Sequence, residues 1–146
     1  MPNMKYPFLL LCLFIYHQYV AAHMTEKQIE ATKKLIRNTC TNKQGVAKEK
    51  VDGMQKGEFD FDDKNSMCYL HCILKTYNLM RKDNTFDWEE GLAVLKDKAP
   101  PSIAVPASAS FVNCKESVKT KEHKCTAAME IAKCLYDFDP PNYFLP

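Results

Sequence analysis

The chain has 146 residues, 46% of them hydrophobic, and a formal net charge of +2 from 20 Lys and Arg against 18 Asp and Glu. That length fits one ordinary domain, and the apolar share excludes a disordered chain. The near-balanced charge excludes the electrostatic footprint of a nucleic-acid binder or an anionic-membrane binder.

Residues 1–22 read as a secretory signal peptide. Lys5 supplies a short positive region and Leu9, Leu10, Leu11, Leu13, Phe14 and Ile15 an apolar centre. Val20 and Ala22 suit the −3 and −1 positions of a cleavage site, so the cut is expected after Ala22. His17 and Gln18 break the apolar run before it reaches the ~20 residues a membrane span needs. Cleavage removes Cys12 and leaves Cys40, Cys68, Cys72, Cys114, Cys125 and Cys134. An even count in a secreted chain points to three disulfides.

The rest of the chain predicts about six short helices and almost no strand. Thr25 with Gln28 forms a capping-box pattern ahead of Ile29, Ile36 and Cys40. A short second helix fits residues 47–56, with Ala47, Val51 and Met54 on its apolar edge and Gly57 closing it. Asp62, Asp63 or Ser66 caps a third helix running to about Met80. It is apolar nearly all round through Met67, Leu70, Ile73, Leu74, Tyr77 and Leu79, as a central buried helix is. Asp87 caps a fourth, with Trp88, Leu92 and Leu95 on one face, acids in its first turn and lysines in its last. Pro100, Pro101 and Pro106 predict a linker, and a fifth helix starting near Ser108 or Ser110 carries Phe111, Cys114 and Val118. The sixth spans about Lys124 to Phe138, with Cys125, Met129, Ala132 and Tyr136 on one face and Ala128 and Leu135 beside them. Pro140 and Pro141 stop it.

The cysteines follow the pattern C-x27-C-x3-C-x41-C-x10-C-x8-C. Cys68 and Cys72 lie four apart on one face of the third helix, too constrained to pair with each other. Each reaches a different segment, which makes that helix a hub. Six cysteines still allow fifteen connectivities.

This spacing, behind a signal peptide and on short helices, resembles the insect odorant-binding proteins, the six-cysteine pheromone- and general-odorant-binding family. The x3 and x8 intervals are that family's tightest. Gly57-Glu58-Phe59-Asp60-Phe61, Met67-Cys68-Tyr69-x-x-Cys72 and the ending Leu145-Pro146 are most similar to its LUSH-like branch. The resemblance implies bridges Cys40–Cys72, Cys68–Cys125 and Cys114–Cys134. It implies an all-α fold around an internal apolar cavity that carries small odorants or pheromones through aqueous sensory fluid. It further implies a monomer or weak dimer that serves an odorant receptor complex. Residues 23–146 would be the carrier domain, with a tail at 139–146 folding toward the cavity.

Helical phase within that fold nominates Leu70, Ile73, Leu74 and Tyr77 as cavity residues, followed by Phe86, Trp88, Leu92 and Leu95. Phe111 and Val112 represent the fifth helix, and Met129, Ala132, Leu135 and Tyr136 the sixth. Tyr143, Phe144 and Leu145 match the family's cavity-closing tail. Alcohol-binding relatives carry Ser and Thr where this chain has Leu74 and Leu79, so the resemblance implies longer or more apolar ligands here. Thr76, Tyr77 and Tyr136 remain as polar contacts.

Nothing in the sequence speaks for catalysis. There is no Gly-x-Ser-x-Gly, no His-Glu-x-x-His and no phosphate-binding glycine loop. No metal site and no cofactor are expected, because paired disulfides account for Cys68 and Cys72 beside His71 better than metal ligation does. Two other readings stay open: a disulfide-braced protein that binds another protein, and a lipophile carrier outside sensory tissue.

Overall fold

The computed structural model describes residues 23–146; the expected signal peptide and Cys12 lie outside the described residues. Six α-helices follow in order: α1 Glu26–Gln44, α2 Lys48–Met54, α3 Lys64–Thr76, α4 Trp88–Lys98, α5 Pro101–Asn113 and α6 Lys124–Phe138, then a 3-10 turn at Pro140–Asn142. Among the described residues the only extended pairing is an isolated antiparallel bridge, Met80 with Phe86. The fold is all-α.

Side-chain caps set three of the six helix starts: Thr25, Asp63 and Asp87. Thr25 and Gln28 cap α1 reciprocally: the Gln28 N–H donates to Thr25 Oγ1 at 3.3 Å, and the Thr25 N–H to Gln28 Oε1 at 2.8 Å. Gly45, at φ +63°, ends the helix in the left-handed region that a Cβ disfavours.

At α3, the Asp63 carboxylate accepts the N–H groups of Asn65 (3.0 Å) and Ser66 (3.3 Å) and the buried Ser66 hydroxyl (2.8 Å). The Ser66 hydrogen bond, ahead of the others, holds the Asp63 carboxyl below the usual carboxylate range. Asp63→Ala is expected to cost about 1–2 kcal/mol, because it orphans helix donors and the Ser66 hydroxyl together. Asp63→Asn, which keeps an acceptor, is expected to cost less than half of that. Urea denaturation of both variants checks it, and equal losses would contradict the capping role.

Two expected boundaries move. The third helix ends at Thr76, not near Met80. Asn78 takes a left-handed conformation (φ +58°), the Leu79 N–H bonds the Leu74 carbonyl at 2.8 Å, and the Asn78 N–H bonds the Lys75 carbonyl at 3.1 Å. These are the two bonds of a Schellman ending. They turn Leu79 and Met80 out of the helix and into the bridge with Phe86.

The fifth helix starts at Pro101, seven residues before Ser108, so the expected linker is helical. Pro101 stands in the first turn, where a missing N–H costs nothing, and Pro106 sits inside the helix. There it removes one ladder bond, to the carbonyl of the solvent-exposed Ser102.

α3 and α6 form the largest interface between helices, with α1 against the other side of α3 and α4 paired with α5. Tyr69, Leu70, Ile73 and Leu74 meet a core that takes Ala128, Met129, Ile131, Ala132 and Leu135 from α6. The small Ala127, Ala128 and Ala132, all fully buried, let α6 lie close. The disulfides are Cys40–Cys72, Cys68–Cys125 and Cys114–Cys134. They tie α1 and α6 to α3, and the end of α5 to α6.

Candidate functional site: an apolar pocket under the C-terminal tail

A pocket of about 300 Å³ lies between the start of α1, the turn after α3, the α4–α5 pair and the tail. α1 contributes Ile29, α4 contributes Gly91, Val94 and Leu95, and α5 contributes Ile103, Pro106 and Phe111. Tyr77 and Leu79 enter from the turn that the Schellman ending creates, and Tyr143 and Phe144 close one side. α4 and α5 meet at the corner of Ala99 and Pro100, and the tail residues Tyr143 and Phe144 lie across the pocket from α1.

Aromatic contacts hold the tail in place. Phe144 packs on Phe111 with ring centres 5.5 Å apart, and Tyr143 packs on Tyr136 at 5.4 Å and on Phe59 at 6.4 Å. Leu145 is buried in the core, and the Tyr69 hydroxyl donates to the Pro146 carbonyl. At the tail's root Asp139 accepts hydrogen bonds from Asn142 at 2.9 and 3.0 Å, and Asp137 pairs with Lys133 at 2.7 Å.

The polar groups of the pocket fall into two sets. Glu30, Lys98, Ser102 and Asn142 are exposed, and Thr32 and Lys33 are half-buried. Lys33 pairs with Glu30 at 3.1 Å and Lys98 with Asp97 at 2.6 Å. The second set is the phenols. Burial pushes the Tyr77 hydroxyl up to about 12, with the Glu30 carboxylate adding to it. Burial, followed by the nearby Tyr69, pushes the Tyr143 hydroxyl up as well. Both stay neutral at physiological pH. Each can donate to, or accept from, a guest.

Of the residues nominated from sequence, Tyr77, Leu95, Phe111, Tyr143 and Phe144 line this pocket. Leu70, Ile73, Leu74, Met129, Ala132 and Leu135 are instead sealed between helices, and Leu145 is sealed with them. Phe86 stands behind Phe111, its ring edge-on at 5.2 Å. Trp88 and Leu92 pack half-buried on the core edge, and Tyr136 packs against Phe59 at 5.9 Å. Val112 points to solvent, 48% exposed, because one residue's step of ~100° carries it off the inward face that Phe111 occupies. Thr76 is also exposed and donates back to the Cys72 carbonyl at 2.8 Å.

Sequence reasoning missed Met24, Ile29, Gly91, Val94, Ala99, Ile103 and Pro106 as lining residues. Ile103 and Pro106 were hidden inside the expected linker. Ile29 and Gly91 carried no signal beyond ordinary helix positions. Among the described residues no group of three His, Cys, Asp or Glu side chains is placed to hold a metal, and no helix is long and apolar enough to cross a membrane.

The PBP/GOBP family profile matches residues 22–137. General odorant-binding protein 72 of Anopheles gambiae is 26% identical over 121 residues, which are 83% of this chain and 98% of that protein. The crystal structure of odorant binding protein 4 of Chrysopa pallens superposes with a TM-score of 0.76 at 34% identity, over 84% of this chain and 99% of that one. Odorant binding protein 5 of Apis mellifera superposes equally well, TM-score 0.76 at 29% identity, over 86% of this chain and 100% of that one.

Proposed function

The chain belongs to the PBP/GOBP family of carriers of small hydrophobic ligands, and from that membership we propose that it binds a volatile odorant or pheromone beneath its C-terminal tail. The single observation that supports this reading is the pocket of about 300 Å³, walled by apolar side chains and roofed by Tyr143 and Phe144. The driving force is removal of apolar ligand surface from water, at ~25 cal/mol per Å². Residues 1–22 are the secretory leader and residues 23–146 the carrier, released into extracellular fluid and delivering its ligand to a receptor complex.

The pocket chemistry narrows the ligand. Its mostly apolar lining and the neutral Tyr77 and Tyr143 phenols favour a largely apolar guest carrying an aldehyde, ketone or ester oxygen. A hydrogen bond to Tyr77 would add about 0.5–1.5 kcal/mol, up to about tenfold in affinity.

Displacement of a fluorescent apolar probe from the oxidised protein, with aldehydes, esters and hydrocarbon terpenes as competitors, tests the reading. Saturable binding at one site and micromolar displacement are expected. Tyr77→Phe is expected to weaken the oxygen-bearing ligands by up to about tenfold and leave the hydrocarbons unchanged. Folded, delipidated protein that binds no probe would overturn the carrier reading and direct attention to a protein partner.

A further inference from the structure

Resting on the carrier reading, we propose that Gly91 is the specificity-determining residue of the pocket: its missing side chain seats Phe111 and Leu79 against α4 and so sets how long a ligand the pocket admits. Gly91 is buried in α4, four residues beyond the Asp87 cap, where its N–H bonds the Asp87 carbonyl at 3.0 Å. Apart from proline, glycine is the poorest residue for that place in a helix, so a packing reason is called for. The reason is close approach. A Cβ on Gly91 would stand 2.4 and 2.7 Å from two carbons of the Phe111 ring and 2.8 Å from a Leu79 methyl carbon. Both neighbours would have to move.

The direction of that movement is restricted. Phe86, fully buried, stands edge-on to the Phe111 ring at 5.2 Å, and Phe144 leans on it at 5.5 Å. The open space next to Phe111 and Leu79 is the pocket, which both residues and Gly91 line. A methyl group at position 91 therefore takes its room, and the room of the displaced ring, from the ligand. Packed interiors do not absorb such volume elsewhere without strain. Phe144 belongs to the tail, so the shifted ring also presses on the pocket's closing wall.

The test compares wild type, Gly91→Ala, Phe111→Leu and the double variant. N-phenylnaphthylamine is displaced by straight-chain aldehydes from hexanal to dodecanal. In wild type, affinity is expected to rise with chain length until the pocket is full. Gly91→Ala is expected to weaken the longest well-bound aldehyde by about tenfold or more and hexanal by less than about twofold. Phe111→Leu is expected to move the optimum to longer aldehydes, and the double variant to return it toward wild type. That second pair carries the test should Gly91→Ala alone fail to fold. An unchanged length profile in Gly91→Ala, or an equal loss at every length that the double variant does not restore, overturns the role of Gly91 and leaves the carrier reading intact. The same holds if Phe111→Leu leaves the optimum where it was. Wild-type protein that binds neither the probe nor any aldehyde overturns both.

Discussion

Replacing Cys68 and Cys125 together by serine is expected to destabilise the protein by about 4 kcal/mol. The bridge closes a sequence separation of 57 residues, against 32 for Cys40–Cys72 and 20 for Cys114–Cys134. In the chain-entropy account a longer loop leaves the reduced, unfolded chain more freedom, so this bridge restricts it most. It also joins α3 to the first turn of α6, across the largest helix interface. A loss of this size is a large part of the ~5–15 kcal/mol that domains command, and it lowers Tm by roughly 10–20 °C. Urea denaturation and calorimetry under non-reducing conditions, run beside the Cys114/Cys134 pair, check it. A smaller loss for Cys68/Cys125 than for Cys114/Cys134 would show that loop length does not govern the ranking.

Ending the chain at Asn142 is expected to remove stability and binding together. Leu145, 1% exposed, contributes about 1.5–3 kcal/mol by its burial. The Tyr69 hydroxyl, left inside the core without the Pro146 carbonyl, adds about 1–3 kcal/mol more. Loss of the Tyr143 and Phe144 wall is expected to lower probe affinity by about a hundredfold. Tyr69→Phe separates the two effects. It removes only the hydrogen bond, so it is expected to cost about 1 kcal/mol and leave probe affinity within about twofold. Truncated protein that binds the probe as tightly as the full chain would show that the tail does not wall the site.

Features set within a few residues were legible beforehand. The caps at Thr25 and Asp87 depend on a side chain reaching an N–H three residues away, and the sequence displays such spacing directly; at α3 it leaves Asp62, Asp63 and Ser66 open, and the structure selects Asp63. Boundaries that depended on distant partners were not. Leu79 and Met80 continue the apolar pattern of α3, yet the turn at Asn78 and the bridge to Phe86 take them out of it. Pro106 looks like a helix breaker, but it stands where one lost ladder bond is tolerated.

The pocket divides along the same line. Periodicity marks which side of a helix leaves water; it does not say whether that side meets another helix or a void. Helical phase nominates Leu70, Ile73, Leu74, Met129 and Leu135 as cavity residues; all are buried, and their faces close on each other beside the alanines of α6. The pocket opens where α4, α5 and the tail fail to close on α1. Gly91 is the sharpest instance, because an absent side chain leaves no mark in a hydrophobic pattern.

By itself the sequence determined the helical class, the caps at Thr25 and Asp87 and the family, because each is written in residue types at short spacing or in the intervals between cysteines. Tertiary structure alone decided where empty space remains and which side chains border it: Tyr77, Leu79, Gly91, Ile103, Phe111 and Phe144 come from four separate segments. A cavity is what packing leaves over, so it depends on all of its walls at once and on no stretch of chain alone.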